Sequence, residues 1–402
     1  VRSATAFNFI LLQQNFLCSS QPTGRLHSLE KMLRLLVLMA LGAVRAMMMT
    51  STMPRFQRAW KSRGVYKDRR DMPPLKDSAE AIGVDPPLTA PRWVWSSAWR
   101  VGQWAMPILH RWDDANVSDT NVNLWVCWLK AIAGNRNRGG YADGGLAYEM
   151  LPAVTRRVVA KPLASLYPRL HHQNVAMRTA YLDRAVVREL ALVSTPSSSP
   201  VVLVLGAGFD TRPFRLRSTA PTAAWAEIDL PHVVQQKRRL LARLARRRPE
   251  LAAPIEALTQ RSANLTVASE ARTALSSALR AAAAAPLAST VCSRGADDDA
   301  CVAEAAAQGR SVIYVIEALL IYLPKAAAAE LLRACVDVAQ DAGAARVSLV
   351  FADRLPDVEA CVMDSARKAL RDARLELDEA TWLPKPGLAR HMGVARWNRT
   401  AG

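Results

Sequence analysis

The sequence predicts an α/β fold, a mainly parallel sheet with helices on both faces, preceded by helical segments. Three observations carry this. From residue 201 onward, short apolar runs alternate with segments of helical period, the rhythm of a parallel sheet whose crossovers are helices. The first run, "VVLVLG" (201–206), breaks directly into a double-glycine bend. The residues that follow each run are polar, and in such sheets ligands bind beyond the carboxyl ends of the strands.

Each element follows from its pattern. "AAWAEIDL" (223–230), "SVIYVIE" (311–317) and "RVSLVFAD" (346–353) read as further strands, and a poorly marked one lies around 255–263. Helical periods fill 231–247 and 325–341. Before the small hinge "STPSSSP" (194–200), helical patterns occupy 119–133, capped by Asp119, then 146–160 and 174–193. In the first of these, Trp125 and Trp128 are spaced i and i+3 on one face and read as core rather than as a substrate platform. The Ala-rich stretch 274–310 reads as a low-complexity surface insertion, partly helical. The Pro- and Trp-rich stretch 71–100 reads as an irregular covering segment.

The chain therefore divides into a leader (1–66), a covering segment with helices (67–193) and an α/β core (194–402). The leader is rich in arginine and poor in acid, and its apolar run 33–44 is too short to span a bilayer comfortably. If Met32 opens the protein, Arg34, the run 35–44 and Val44-Arg45-Ala46 suit a secretory signal, and the arginines beyond suit an organellar one. A disordered or untranslated leader is the alternative, so the compartment stays open.

A net charge of +18 over 402 residues invites a polyanion reading. Arginine far outnumbers lysine beside abundant alanine, a compositional habit, and nucleic acid is not the expected partner. The six cysteines include no CxxC pair and read as free thiols, with pairing of Cys292 and Cys301 the alternative in an oxidising compartment. His171-His172 lacks metal-ligand spacing, and no metal is expected.

Four strand ends carry the candidate chemistry. Gly206-Ala207-Gly208 lets the backbone turn sharply and approach a ligand, yet Thr211 stands where a dinucleotide fingerprint wants its third glycine, and no Gly-Lys-Ser/Thr follows. Asp210 comes just after the bend. Glu227-Ile228-Asp229 ends the second strand, where a carboxylate accepts the hydroxyls of a ribose or else caps the helix from Pro231. Asn264-Leu265 follows the third strand, where the amide meets an adenine edge or simply forms a turn. Glu317 closes a wholly apolar strand, a costly place for an acid without water or a cation. A ligand with a ribose, an adenine, a cationic centre and no phosphate is S-adenosyl-L-methionine.

These residues resemble the leucine carboxyl methyltransferase family of class I S-adenosylmethionine-dependent enzymes. "VLVLGAGFDTRPFRL" resembles its glycine motif, "AEIDLPHVVQQKRRLL" its second-strand acid and following helix, and "IEALLIYLPKAAAAELLR" its Glu-x-x-Leu-x-Tyr-Leu segment. "AMRTAYLDRAV" sits where the family has an arginine before its first strand, and the resemblance spans roughly 119 to 353. It implies a Rossmann-like sheet of seven strands under an N-terminal helical cap. It also implies that Arg178 meets the methionine carboxylate, the Gly206 turn the methionine tail, Asp229 the ribose and Glu317 the amino group. The family's third strand usually ends Asp-Leu, whereas this chain has Asn264-Leu265.

The segment 119–152 looks closer to the bacterial-type branch acting on small molecules than to the phosphatase-directed enzymes, whose helix carries an early lysine where this chain has only Lys130 near its end. The expected reaction is methyl transfer to a carboxylate or acidic hydroxyl of a small molecule, with Tyr322 either lining the acceptor pocket or packed in the core. A protein C-terminal leucine carboxylate is the alternative acceptor. A non-catalytic polyanion-binding protein, supported by "KRRLLARLARRR" (237–248), is the alternative of a different class.

Overall fold

The computed structural model describes residues 123–131, 145–152, 156, 169–193, 199–219, 221–284, 310–358, 363–385 and 390–399. The expected leader, the covering segment 71–100, Asp119, the side chains of His171 and His172, and the pair Cys292 and Cys301 lie outside the described residues.

Three helices come first: α1 (123–131), α2 (Leu146–Met150) and α3 (Arg169–Val193). The core follows as β1 (Val201–Leu205), α4 (Arg212–Arg215), β2 (Ala224–Asp229), α5 (Pro231–Arg247), α6 (Ala252–Glu256), β3 (Thr259–Ser262), α7 (Ala268–Ala284) and β4 (Arg310–Glu317). It closes with α8 (Lys325–Asp341), β5 (Ala344–Asp353), α9 (Met363–Arg371), β6 (Glu376–Leu377), β7 (Leu383–Lys385) and β8 (Arg390–Asn398). Seven strands lie along the path β3-β2-β1-β4-β5-β8-β6, and the short β7 pairs with β8 beside it. Strands β1 to β5 run parallel to one another, whereas β8 runs antiparallel to β5, β6 and β7.

This order puts the site where chain direction across the sheet reverses. From β1 the chain moves outward through β2 to β3, then returns to place β4 on the other side of β1. The carboxyl ends of β1 and β4 therefore border the crevice that loops leave open at such a switch point. Strand β1 can be wholly apolar because both its faces are covered. Val202 and Val204 pack in one core with Trp128, Leu182 and Val186 of α1 and α3, while Val201, Leu203 and Leu205 pack in the other with Leu275 of α7 and Leu332 of α8. Trp125 and Trp128 belong to the first core, their ring centroids 4.8 Å apart.

Helix α5 starts at Pro231, whose missing N–H is no loss in a first turn, and buries Val233, Val234, Leu240, Leu241 and Leu244 along one stripe. Residues 274–284, expected in a surface insertion, instead form the body of α7, with Leu275, Ala278, Leu279 and Ala282 buried. Their low complexity reflects a helix lying close against the sheet, where alanine fits. The helix expected over 146–160 ends at Met150, because Leu151 is extended. Strands β6 to β8 carry no apolar run long enough to announce them.

Helix α3 is fastened to the far strands by Glu189, which is fully buried. It accepts hydrogen bonds from Ser348 Oγ at 2.8 Å, Arg396 Nη2 at 2.5 Å and Arg346 Nη2 at 3.1 Å. Burial pushes its carboxyl upward, but Arg396, Ser348 and Arg346 outweigh that and hold it below the usual range.

On β8, directly opposite Asp353, His391 is fully buried and stacked on Trp382 with centroids 4.9 Å apart, neither ring nitrogen having a hydrogen-bond partner among the described residues. Burial first, and then the Arg354 charge, lower its pKa from 6.5 to about 4. A lowered histidine pKa stabilises the fold fully above 6.5, and the benefit is lost as pH falls toward 4. By linkage the loss amounts to about 3 kcal/mol. His391→Phe, which removes both orphaned nitrogens, is expected to flatten the decline in unfolding free energy between those pH values. Denaturant titrations of the two proteins across that range check this.

Candidate active site

Strand β1 ends at Leu205, and the chain then turns with φ of 60° at Gly206 and 47° at Gly208. Side chains rarely adopt these values, so the bend calls for glycine. The Gly206 N–H donates to Ile228 O at 2.9 Å, which fixes the bend beside β2. The end of β2 completes the hold: Asp229 accepts the Gly208 N–H on Oδ2 at 2.6 Å and the Leu230 N–H on Oδ1 at 2.7 Å. Burial raises the Asp229 carboxyl above its ordinary value, opposed by these two backbone bonds. A carboxylate has about four lone-pair sites, so each oxygen keeps capacity for one more donor, the number a ribose diol would need.

From the other side, Glu317 ends β4 next to β1. It meets water only slightly and is surrounded by cations: Lys130 Nζ at 3.1 Å from α1, Arg178 Nη2 at 2.9 Å from α3 and Arg212 Nη1 at 2.7 Å from α4. Burial alone would push its carboxyl up, but Lys130, Arg212 and Arg178 win and hold it well below the carboxylate range. Arg212 is fully buried, pairs with Asp210 through Nη1 and reaches Asp183 Oδ1 at 2.7 Å through Nε. Arg215 Nη1 meets Asp183 Oδ2 at 2.5 Å. The cluster thus joins α1, α3, α4 and β4.

The residue after Glu317 is strained: Ala318 has φ of 54°. Asp353, at the end of β5, holds the turn in that shape by accepting the N–H groups of Leu319, Leu320 (2.7 Å) and Ile321 (3.1 Å). A non-glycine residue in this region costs roughly 1–3 kcal/mol and persists only where its surroundings over-determine it.

The structure brings together Arg178, Gly206, Ala207, Gly208, Asp210, Asp229 and Glu317 at the shared carboxyl edge of β1, β2 and β4. Three of them have engagements their sequence positions did not announce. Asp210 is buried on Arg212, accepting its backbone N–H at 2.9 Å as well as its guanidinium, so it organises the cluster. Arg178 is bound to Glu317 rather than standing apart from it. Asp229 clamps the glycine bend. At β3, the Asn264 side-chain oxygen accepts the N–H of Thr266 at 3.0 Å and its hydroxyl at 2.6 Å, the local turn that was the alternative to an adenine contact, and Leu265 is buried in the core. Glu227 is buried on Lys237 Nζ at 2.6 Å and serves the core. Tyr322 is 63% exposed beside Ile321, which is 37% exposed, rather than packed in the core.

Lys130, Asp183, Arg212, Arg215, Asp353 and Thr179, whose hydroxyl donates to Glu317 Oε1 at 3.4 Å, are the participants that sequence reasoning left without a role. The rule of reading polar residues at strand ends reaches Asp353 if carried to the fifth strand. Asp183 lies five residues beyond Arg178 within one long helix and gives no such sign.

One atom tests whether this site suits an amino-acid carboxylate. Arg212 Nη2 is buried without a hydrogen-bond partner among the described residues. Among the described residues, Lys130, Arg178, Arg212 and Arg215 face Asp183, Asp210 and Glu317, one cation in excess. A buried donor and an unbalanced positive charge fit one further anion.

A glycine bend at the switch point, an acid at the end of the next strand and a charged cluster opposite define the class: an S-adenosylmethionine-dependent methyltransferase with a Rossmann-like sheet. Within that class, residues 124–295 match the model of the family described as leucine carboxyl methyltransferase, the family its motifs resemble. No curated protein matches the chain. Among solved structures it is similar to magnesium protoporphyrin IX methyltransferase from Synechocystis PCC 6803, solved with bound S-adenosylmethionine, at 13% identity over 58% of this chain and 86% of that one, with a TM-score of 0.33. An O-methyltransferase family protein from Burkholderia thailandensis aligns at 12% identity over 77% of this chain and 83% of its own, with a TM-score of 0.31. These likenesses are too distant to carry weight beside the family match and the topology. No helix among the described residues is long and apolar enough to cross a membrane.

Proposed function

We propose that the enzyme transfers a methyl group to an oxygen of a small-molecule carboxylate or acidic hydroxyl. The observation that supports this most is the convergence of the Gly208–Asp229 clamp and the Glu317 cluster at one sheet edge. Asp229 would hold the ribose hydroxyls, and the Gly206 bend would admit the amino-acid tail. Glu317 would take the ammonium, while Arg178 and Arg212 Nη2 would receive the carboxylate. S-adenosylmethionine supplies the electrophilic methyl group. The protein's task is then to align the acceptor oxygen opposite sulfur and exclude water, the two effects that accelerate an in-line displacement.

The surroundings of the Glu317 cluster support this acceptor class. An acceptor already anionic needs no base, whereas an ordinary alcohol gains from one. Among the described residues no histidine touches the Glu317 cluster, and His391 is enclosed in the sheet. Tyr322 and Ile321, exposed on the turn after Glu317, are the surface against which an acceptor would rest.

Incubation with labelled methyl donor and a panel of small carboxylates, phenols, alcohols and a peptide ending in leucine tests the proposal. Label in the small carboxylates or acidic phenols is the expected result. Label confined to the peptide moves the enzyme to the protein-directed branch, and label confined to ordinary alcohols overturns the acceptor class.

A further inference from the structure

Among the described residues, a row of exposed arginines occupies one face of α5. Helix α5 turns its apolar stripe into the core, and Arg238, Arg239, Arg243, Arg246 and Arg247 stand exposed on the side left over. The side chains of Arg239, Arg243 and Arg246 form no ion pair among the described residues. Some arginines elsewhere are paired, Arg248 with Glu149, Arg272 with Glu330 and Asp337, and Arg367 with Asp364, whereas Arg280, Arg354, Arg371 and Arg399 are exposed singly without an ion pair among the described residues. The neighbours also repel: Arg247 is held below its ordinary range by burial first and then by Arg156, Arg243 and Arg246, with only Glu149 opposing.

The spacing is regular. Arg239, Arg243 and Arg246 fall at i, i+4 and i+7, so they rise along the helix in steps of about 6 and 4.5 Å. Beside them, between α5, α6 and the edge strand β3, lies a groove of about 470 Å³. Arg238 and Arg261 flank it, Thr259 and Gln260 give it polar walls, and Leu241 and Ile255 an apolar floor. The Arg238 guanidinium donates to Gln260 O at 3.2 Å and Arg261 Nε to Ser277 Oγ at 2.9 Å, so both are positioned without a carboxylate partner. Because α5 runs back from the end of β2 to the start of β3, its arginine-rich second half and the groove lie toward the amino ends of the strands, away from the methyl-transfer edge.

We infer that this face binds the phosphate backbone of a single-stranded nucleic acid, with the α5 arginines on successive phosphates and a base in the groove. A row of guanidinium groups supplies the charge that tracks a single-strand backbone, and the part-apolar slot flanked by Arg238 and Arg261 gives an unstacked base a place to enter. An anionic membrane fits less well. The valines and leucines of α5 are turned inward, and the large exposed hydrophobics among the described residues, Leu192, Val267, Ile321 and Tyr322, lie outside this helix.

Fluorescence anisotropy of a labelled single-stranded oligoribonucleotide, titrated with the full protein at several salt concentrations, tests the inference. Arg239→Gln, Arg243→Gln and Arg246→Gln are combined in one variant, all at exposed helical positions where glutamine is tolerated. Affinity at moderate salt is expected to fall at least tenfold. The slope of log affinity against log salt should shrink by about 2, from about 0.7 for each of three lost phosphate contacts. Binding of the methyl donor, followed separately, should not change, which keeps this result independent of the site at the other edge. Unchanged affinity or salt slope in the variant overturns the inference. So does binding to phosphatidylserine vesicles but not to the oligonucleotide, or equal displacement of the oligonucleotide by polyglutamate of matched charge.

Discussion

Glu317→Gln is expected to destabilise the protein by about 3–5 kcal/mol and to remove binding of the methyl donor. The substitution keeps the shape of the side chain but leaves Lys130, Arg178 and Arg212 without their common anion in a site nearly closed to water. Breaking one side of a buried ion pair costs this much because the remaining charge stays desolvated. The pH dependence carries a sign. Since the folded Glu317 carboxyl is held well below the carboxylate range, its contribution is complete above about pH 4.5 and fades as pH falls toward the folded value. The stability gap between the two proteins, measured by denaturant unfolding, should therefore be widest near neutrality and close in acid. A constant gap would mean that the loss is one of packing rather than of charge.

Gly208→Ala is the second large effect, and Gly343→Ala is its control. Both positions have positive φ, 47° and 79°, so both variants bear the strain of a left-handed alanine, about 1–2 kcal/mol. Beyond that they differ. A Cβ on Gly208 would fall 2.4 Å from Asn123 Oδ1 on α1, whereas one on Gly343 meets nothing within 4 Å. Alanine at 208 must push α1 away or open the bend held by Asp229, and either movement displaces the cofactor edge. At least tenfold weaker donor binding is expected in Gly208→Ala and near-normal binding in Gly343→Ala, with comparable heat or denaturant stability lost to strain in each. Equal binding by both would show that the contact between α1 and the bend plays no part in the site.

The sheet was legible mainly through its central strands β1 and β4, which are buried on both faces and read as near-continuous apolar runs, whereas the parallel edge strand β3, Thr-Gln-Arg-Ser, carries no such run. Val201–Leu205 and Arg310–Glu317 fall within a residue of their expected places. The antiparallel β8 was not, since Arg390, His391 and Arg396 interrupt its apolar positions. Alanine-rich α7 looked like filler because small side chains signal close packing no more than they signal disorder. At the candidate site, the strand-end rule pointed to Asp229 and Glu317, which the structure places at the ends of β2 and β4. Asn264 obeyed the same rule and turned out to shape its own turn, because an amide next to a hydroxyl two residues on has a partner at hand. The roles of Asp183 and Lys130 depend on how α1 and α3 cross the sheet, which residue spacing within either helix does not encode.

The central claim is that a glycine bend and acids from neighbouring strands meet to hold S-adenosylmethionine, and calorimetric titration of that molecule into the wild-type protein and Asp229→Ala addresses it most directly. The account predicts saturable binding heat in the wild type and none in a folded Asp229→Ala. Silence in the wild type, or an undiminished isotherm in the variant, would contradict it.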